Sequence, residues 1–397
     1  MRRHIVLFFL IMFLIGTDTF LISPLLPTLQ HEFGMPVGIA GWMVGAYTLG
    51  SAVFALIAGP LSDGWNRRTV LLCGLLGFAV STILCGFADG FWTMCLFRLL
   101  AGVSAAFTAP QVWASIPAVL PPARVPKAMG VAFGGLAAAQ ALGVPIGSWL
   151  AAGGWSAPFW AIGGGALVLA AFAFRLLPDM KPGAPRAERT SILRRYAPLL
   201  QSGKARSGFL AYLLLHLGSG TAFAFAGKWM TDRFGLSIGQ LGTVMMFLGL
   251  GTLAGSMISA LATRKLGAAG AVTIGMSALV ALYAGMPHLG GLSGVTAAYL
   301  VINTVLGVIF PIVMAGLTSL NASIRGTISS LANATMNGAN TLGAWLAGLL
   351  YVQLGGFSAI GAFAGACLVL SLGLFLAGGL LAKRGTAAGR ESASSAS

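Results

Sequence analysis

Runs of about twenty consecutive apolar residues recur along this chain, each long enough for a helix to cross the ~30 Å apolar core of a bilayer. Twelve can be placed, at 5–27, 38–61, 68–88, 91–115, 127–151, 156–177, 208–228, 238–262, 267–286, 292–317, 328–352 and 357–382. They are continuous and do not alternate apolar with polar positions, so they predict helices and not the strands of a membrane barrel. Only 8% of the residues are charged, against roughly 25% in a soluble domain. Such a chain cannot cover a water-facing surface. No small-residue cleavage site follows a short apolar core near Met1, so the first run is expected to stay as a helix and not to be removed as a signal.

The net charge of +15 does not indicate nucleic acid, because its distribution follows the membrane. With the N-terminus in the cytoplasm and the spans alternating, Arg2, Arg3, Arg67, Arg68, Arg124, Lys127, the 175–206 region, Arg264, Lys265, Arg325 and the C-terminal tail all fall inside. Lys228 and Arg233 alone fall outside, and Arg98 lies within a span. That asymmetry is the positive-inside rule, and it predicts a multi-pass protein with both termini cytoplasmic, its inner face attracted to anionic membrane lipid. Cys73, Cys85, Cys95 and Cys367 lie in or at the ends of apolar runs without a CxxC pair. They predict neither disulfide nor metal site, only small core side chains.

Residues 178–207 form the only long polar break and divide the chain into bundles of six helices at 1–177 and 208–382, with a tail at 383–397. Within the break, SILRRYAPLL suits a short amphipathic helix on the membrane surface. The halves match at a shift of about 201 residues. EFGMPVGIAG (32–41) answers RFGLSIGQLG (233–242), Arg124 answers Arg325, and with one residue dropped AQALG (139–143) answers ANTLG (339–343). Repeated six-helix halves are a transporter pattern, with the substrate site between them near the midplane. The expected fold class is an all-α membrane protein of twelve transmembrane helices in two pseudo-symmetric six-helix bundles.

The loop GPLSDGWNRRTVL (59–71) joins Gly59, which permits close helix packing, to Asp63, suited to a helix N-terminus, and to the cations Arg67 and Arg68. It resembles the signature loop G-x-L-a-D-r-x-G-r-k of the major facilitator superfamily. Asn66 stands where that family usually has glycine and is the next-best residue for a left-handed turn. Gly64 stands where a basic residue is common. The second half keeps a degraded copy, ALATRKLG (260–267), with Arg264 in the place of Asp63. LFRLLAGVSAA (96–106), through Arg98 and Gly102, resembles the family's R-x-x-x-G element. QALGVPIGSWL (140–150), through Gly143, Pro145 and Gly147, resembles the glycine–proline element of its antiporters, where a bend is expected; packing through small residues is the plainer account. Within the family the likeness is to the twelve-helix drug:proton antiporters and sugar-efflux permeases. The resemblance implies the major facilitator fold, with Gly59, Asp63, Arg67 and Arg68 in a loop that latches the halves on the cytoplasmic side.

Asp18, in FLIGTDTFLISPLLP (14–28), is the sole acid at membrane depth. Such charges are costly and mark ion or substrate paths. Asp18 lies about nine residues, roughly 14 Å, below the outer end of its helix, and Arg98 about seven residues, roughly 10 Å, below the outer end of another. They are expected to pair. Loss of water favours the neutral acid and a guanidinium favours the carboxylate, so a pair that parts as the cavity alternates would load and release a proton. A permanent structural pair is the alternative. His216, the one histidine well inside a span, sits a turn from Ser219, the repeat mate of Asp18; it is a candidate proton or substrate ligand, or equally a neutral packing residue. Asn333, Asn337 and Asn340 form one stripe at i, i+4 and i+7. Asn337, Asn340, Gln140 and Asn303 are candidate cavity amides, or else interhelical hydrogen bonds worth about 0.6 kcal/mol each. Tyr47, Trp113, Tyr212, Phe223 and Met245 are candidate apolar walls.

These features and the resemblance together predict a proton-coupled antiporter of small amphipathic or hydrophobic compounds such as drugs, a monomer in a bacterial inner membrane and without a cofactor; the direction, export, is what the resemblance alone implies. A sugar or amino-acid efflux permease and a passive neutral-solute facilitator are the alternatives. One embedded acid and one embedded histidine supply no enzyme's nucleophile–base set or metal cluster. No charged ring or filter marks a channel, and no GxxxxGK[ST] loop binds ATP.

Overall fold

The computed structural model describes residues 2–62, 65–121, 124–180, 196–197, 199, 201–321 and 325–381, the side chains of 59–62, 126–127 and 325–326 excepted. No β-strand occurs among them. The first half holds α1 (Arg2–Glu32), α2 (Val37–Ala40), α3 (Trp42–Ser62), α4 (Arg67–Cys85), α5 (Phe91–Val119), α6 (Val125–Ala138), a π-helical turn (Ala139–Gly143), α7 (Val144–Ala152) and α8 (Ala157–Leu176). The second holds α9 (Gly203–Ala224), α10 (Ala226–Phe234), α11 (Ile238–Gly285), α12 (Leu292–Thr318), α13 (Arg325–Gln353) and α14 (Phe357–Ala377). Every expected apolar run is helical, because in hydrocarbon only a helix satisfies its own backbone. Most of the linker 178–207, including the SILRRYAPLL segment save three of its residues, and all of the tail lie outside the described residues.

Among the described residues, ten stretches are long and apolar enough to cross a membrane. Ile238–His288, at 51 residues, spans roughly 75 Å of helix and so has the length of two crossings. It changes direction at Gly267, whose φ of 72° and ψ of 164° are the only non-helical angles within α11. The sequence predicts a loop over 263–266; the structure replaces it with that single residue. α13, with 29 residues, has the length to cross but carries three asparagines and is not among the ten. The expected count of twelve therefore depends on α13.

The internal repeat is visible in the backbone. Gly34 and Gly235, matched at the 201-residue shift, both take the left-handed region, with φ of 58° and 63°. Each follows a helix and turns the chain into the next, where Ser237 caps α11 by accepting from Gln240 N–H. Seven residues on in each half, Gly41 and Ser148's neighbour Gly242 bring the halves together. A Cβ at Gly41 would lie 1.8 Å from the Ala344 carbonyl oxygen, and one at Gly242 2.7 Å from Ser148 Cβ. Between these seams, Ser23 donates to the Phe223 carbonyl at 2.7 Å, Phe20 meets Phe223 edge-on, and the Thr48 and Thr341 hydroxyls are 2.8 Å apart. All of these contacts lie toward the end of the bundle marked by Glu32 and Asp232.

Gly41→Val inserts a branched side chain where backbone already touches backbone. Overpacking of this kind costs about 1–3 kcal/mol, so the closed end is expected to lose roughly 5–150-fold in relative population. Spin labels at His31 and Gln353, both exposed, would read this as a longer distance distribution. An unchanged distribution would show that this seam is not what closes the end.

Candidate functional site

α1 carries Asp18 and α5 carries Arg98 into the centre of the first half, where the two side chains are 0% and 1% exposed. Arg98 Nη1 donates to Asp18 Oδ2 at 2.6 Å and Nη2 to the Asp18 backbone carbonyl at 3.3 Å. The depth match read from the sequence thus corresponds to a direct ion pair. Such a pair persists because the attraction between the two charges offsets the cost of removing each from water. Asp18 Oδ1 and Arg98 Nε make no hydrogen bond to another described residue. The carboxylate therefore has one oxygen committed to the guanidinium and one without a partner among the described residues.

Tyr47 of α3 is 3% exposed, and its ring lies under Arg98, with Cζ 4.4 Å from the ring centroid. The Thr19 hydroxyl stands 3.1 Å from the Tyr47 hydroxyl. Sequence reading missed Thr19, although its position one residue after Asp18 was the available signal.

The candidate amides occupy several helices. Gln140 is buried in the π-helical turn. Asn303 of α12 donates to the Tyr299 carbonyl at 2.9 Å and lies 3.4 Å from the Thr252 hydroxyl. On α13, Asn337 donates to the carbonyl and side chain of Asn333 at 2.9 and 3.0 Å. Asn340 abuts α9, since a Cβ at Gly220 would fall 2.4 Å from its Oδ1. His216 of α9 is buried, stacked on Phe310 at 4.7 Å and 12° and edge-on to Tyr212 at 4.5 Å and 75°. Its Nε2 has no protein partner among the described residues. The proton candidates thus divide, with Asp18 and Arg98 in contact and His216 packed in the second half.

The remaining wall candidates are also placed. Trp113 stacks on Phe133 at 4.3 Å, Phe223 forms the Ser23 and Phe20 contact between the halves, and Met245 is fully buried in α11.

The expected bend at Gly143, Pro145 and Gly147 takes the form of a π-helical turn immediately before the proline. Val144 N–H reaches back five residues to the Ala139 carbonyl. Pro145 supplies no N–H and its ring crowds the carbonyl one turn earlier, and a widened turn accommodates both. This turn packs on α1 beside Asp18: a Cβ at Gly143 would lie 1.9 Å from Thr17 Oγ1, and one at Gly147 2.7 Å from Leu21.

In the 59–71 loop Gly59 lies in the last turn of α3, but its surroundings and Asp63 lie outside the described residues. Arg67 donates to the Ala114 carbonyl at 2.7 Å, and Arg68 pairs with Asp179 at 3.1 Å. Asn66 does not make the left-handed turn expected of it. Its φ of −63° and ψ of 115° are extended, and its side chain caps α4 by accepting from Arg68 N–H. The same oxygen accepts from Met180 N–H at 3.1 Å, so the residue ties the loop to the end of the first half.

The sequence model of the Major Facilitator Superfamily matches residues 8–344. The chain is 46% identical over 349 residues to the MFS-type transporter YceJ of Bacillus subtilis (strain 168), covering 88% of this chain and 89% of that one. It is 27% identical over 250 residues to the chloramphenicol resistance protein of Streptomyces lividans, covering 62% of each. The crystal structure of the human organic anion transporter MFSD10 superposes with a TM-score of 0.70 at 21% identity, over 94% of this chain and 99% of that one. With a match running through most of its length, the chain belongs to the Major Facilitator Superfamily and is a multi-pass membrane transporter of small molecules, not an enzyme.

Proposed function

We propose that this transporter is a proton-coupled exporter of small amphipathic compounds, working by alternating access in a bacterial inner membrane with both termini cytoplasmic. The observation that carries the reading is the Asp18–Arg98 pair, a proton-binding carboxylate at membrane depth held by a single partner. A proton arriving at Asp18 dissolves the ion pair, which gives protonation a structural consequence that a bare acid would lack. The positive-inside distribution supports an outward-facing Glu32 end, and on this reading the seams between the halves close the outer side. The name of the Streptomyces lividans relative supports export of a drug-like compound. Asp18 and Arg98 neutralise one another, so a bound compound would meet amides and aromatic rings and not a free anion. That favours neutral or weakly ionised substrates over lipophilic cations.

The test is a substrate screen in oriented vesicles holding a pH dye, with an imposed proton gradient. Substrate-driven proton movement is the expected result. Flux that persists unchanged without a gradient would replace this reading by a passive facilitator. The asparagine stripe of α13 favours one second reading, efflux of a sugar or amino acid, because amides match hydroxyl and zwitterionic groups. A neutral sugar and a lipophilic drug run in the same vesicles separate the two.

A further inference from the structure

Tyr47 lies too deep to form a wall open to substrate, and its surroundings give it a different task. Its backbone is fixed by α5, because a Cβ at Gly102 would stand 2.0 Å from the Tyr47 carbonyl oxygen, and Ser51, one turn on, donates to the Gly102 carbonyl at 3.0 Å. Its hydroxyl is held at α1 by Thr19, which also stands 2.7 Å from the Ile15 carbonyl. Fixed at both ends, the ring presents its face to the Arg98 guanidinium. That cation has Asp18 at one edge and the aromatic face beneath it. A buried guanidinium above a ring is attracted to its quadrupole, and more strongly where water is excluded.

Among the described residues, the other titratable groups that bear on the pair are Cys85 of α4 and Cys95 of Arg98's own helix. The stretch 128–152, whose π-helical turn packs on α1, has no ionisable side chain. Tyr47 is therefore the one aromatic face over the cation among the described residues.

We propose that Tyr47 is a positioning residue of this centre, whose ring pins the Arg98 guanidinium at Asp18 and thereby sets the pH at which Asp18 takes up a proton. The ring keeps the cation aimed at the carboxylate while Asp18 is charged. It keeps the same cation in place, partnered by a π face, once Asp18 is neutral, so the pair re-forms on deprotonation without a search. With the ring removed, the guanidinium is held less firmly, the carboxylate loses part of its stabilisation, and Asp18 takes up its proton at higher pH. The inference deepens the coupling reading given above, but its test reads the carboxyl group directly.

The experiment is a difference-infrared pH titration of the full chain in lipid nanodiscs, for wild type, Tyr47→Phe, Tyr47→Leu and Asp18→Asn. The carboxyl band absent from Asp18→Asn is assigned to Asp18. Tyr47→Phe keeps the aromatic face and is expected to titrate with wild type. Tyr47→Leu is expected to move the midpoint upward by about one pH unit, a tenfold change in proton affinity. Tyr47→Met, of similar length without a π face, takes its place if the leucine variant does not give a monodisperse, cooperatively unfolding protein. A leucine or methionine variant titrating with wild type overturns the proposal. So does a phenylalanine variant that shifts as far as leucine, which would assign the effect to the hydroxyl and Thr19. Proton-driven flux is measured on the same samples. If Asp18→Asn retains that flux, the coupling reading fails while the titration result for Tyr47 stands.

Discussion

Asp18→Asn is expected to cut proton-driven uptake in inside-out vesicles sharply while leaving substrate exchange, which moves no net proton, largely intact. Asparagine keeps the shape of the carboxyl and one acceptor oxygen for Arg98 Nη1, but it neither takes up nor releases a proton. If Asp18 is the group that links the proton to the conformational change, its loss removes that coupling free energy. Couplings between sites run at about 1–3 kcal/mol, or roughly 5–150-fold, and the driven flux should fall by that factor relative to exchange. Equal loss of both activities would point to misfolding or to a blocked cycle. Undiminished driven flux would return the pair to a purely structural role.

The second large effect is on stability. Arg98→Leu leaves the Asp18 carboxylate in a dry interior without its cation. Breaking a buried pair from one side costs about 3–5 kcal/mol, enough to lower the yield of monodisperse protein and the midpoint of thermal unfolding. The double variant Asp18→Asn with Arg98→Leu should recover most of that loss, because a neutral amide is far cheaper to bury than a lone charge. The four proteins form a cycle whose interaction term isolates the pair. Additive losses would mean that the 2.6 Å contact contributes little to stability.

What the sequence made legible was whatever depends on counting along the chain. The helical runs, the shared depth of Asp18 and Arg98, and the matched Gly34 and Gly235 all follow from spacing. Facing relations were harder to read. In lipid, apolar periodicity does not separate a membrane-facing side from a protein-facing one, so Tyr47 reads as a wall when its ring lies under Arg98. Local geometry at polar residues also escaped. Asn66 suits both a left-handed turn and an N-cap, and a second partner, Met180 N–H, selects the cap. Gly267 shows the converse, one residue with a positive φ performing the reversal for which a four-residue connection was expected.

The widened turn at 139–143 has a mechanical consequence for everything that follows it. Each residue advances an α-helix by about 100°, and a turn closed over five residues holds one more than an ordinary turn. Ser148 faces Gly242 only because that surplus has already been spent upstream. Were the turn to tighten, the whole of α7 would swivel about its own axis by nearly a third of a revolution, carrying Ser148 off the opposite half. A small change of winding beside Asp18 is thus geared to how closely the two halves meet at Gly242.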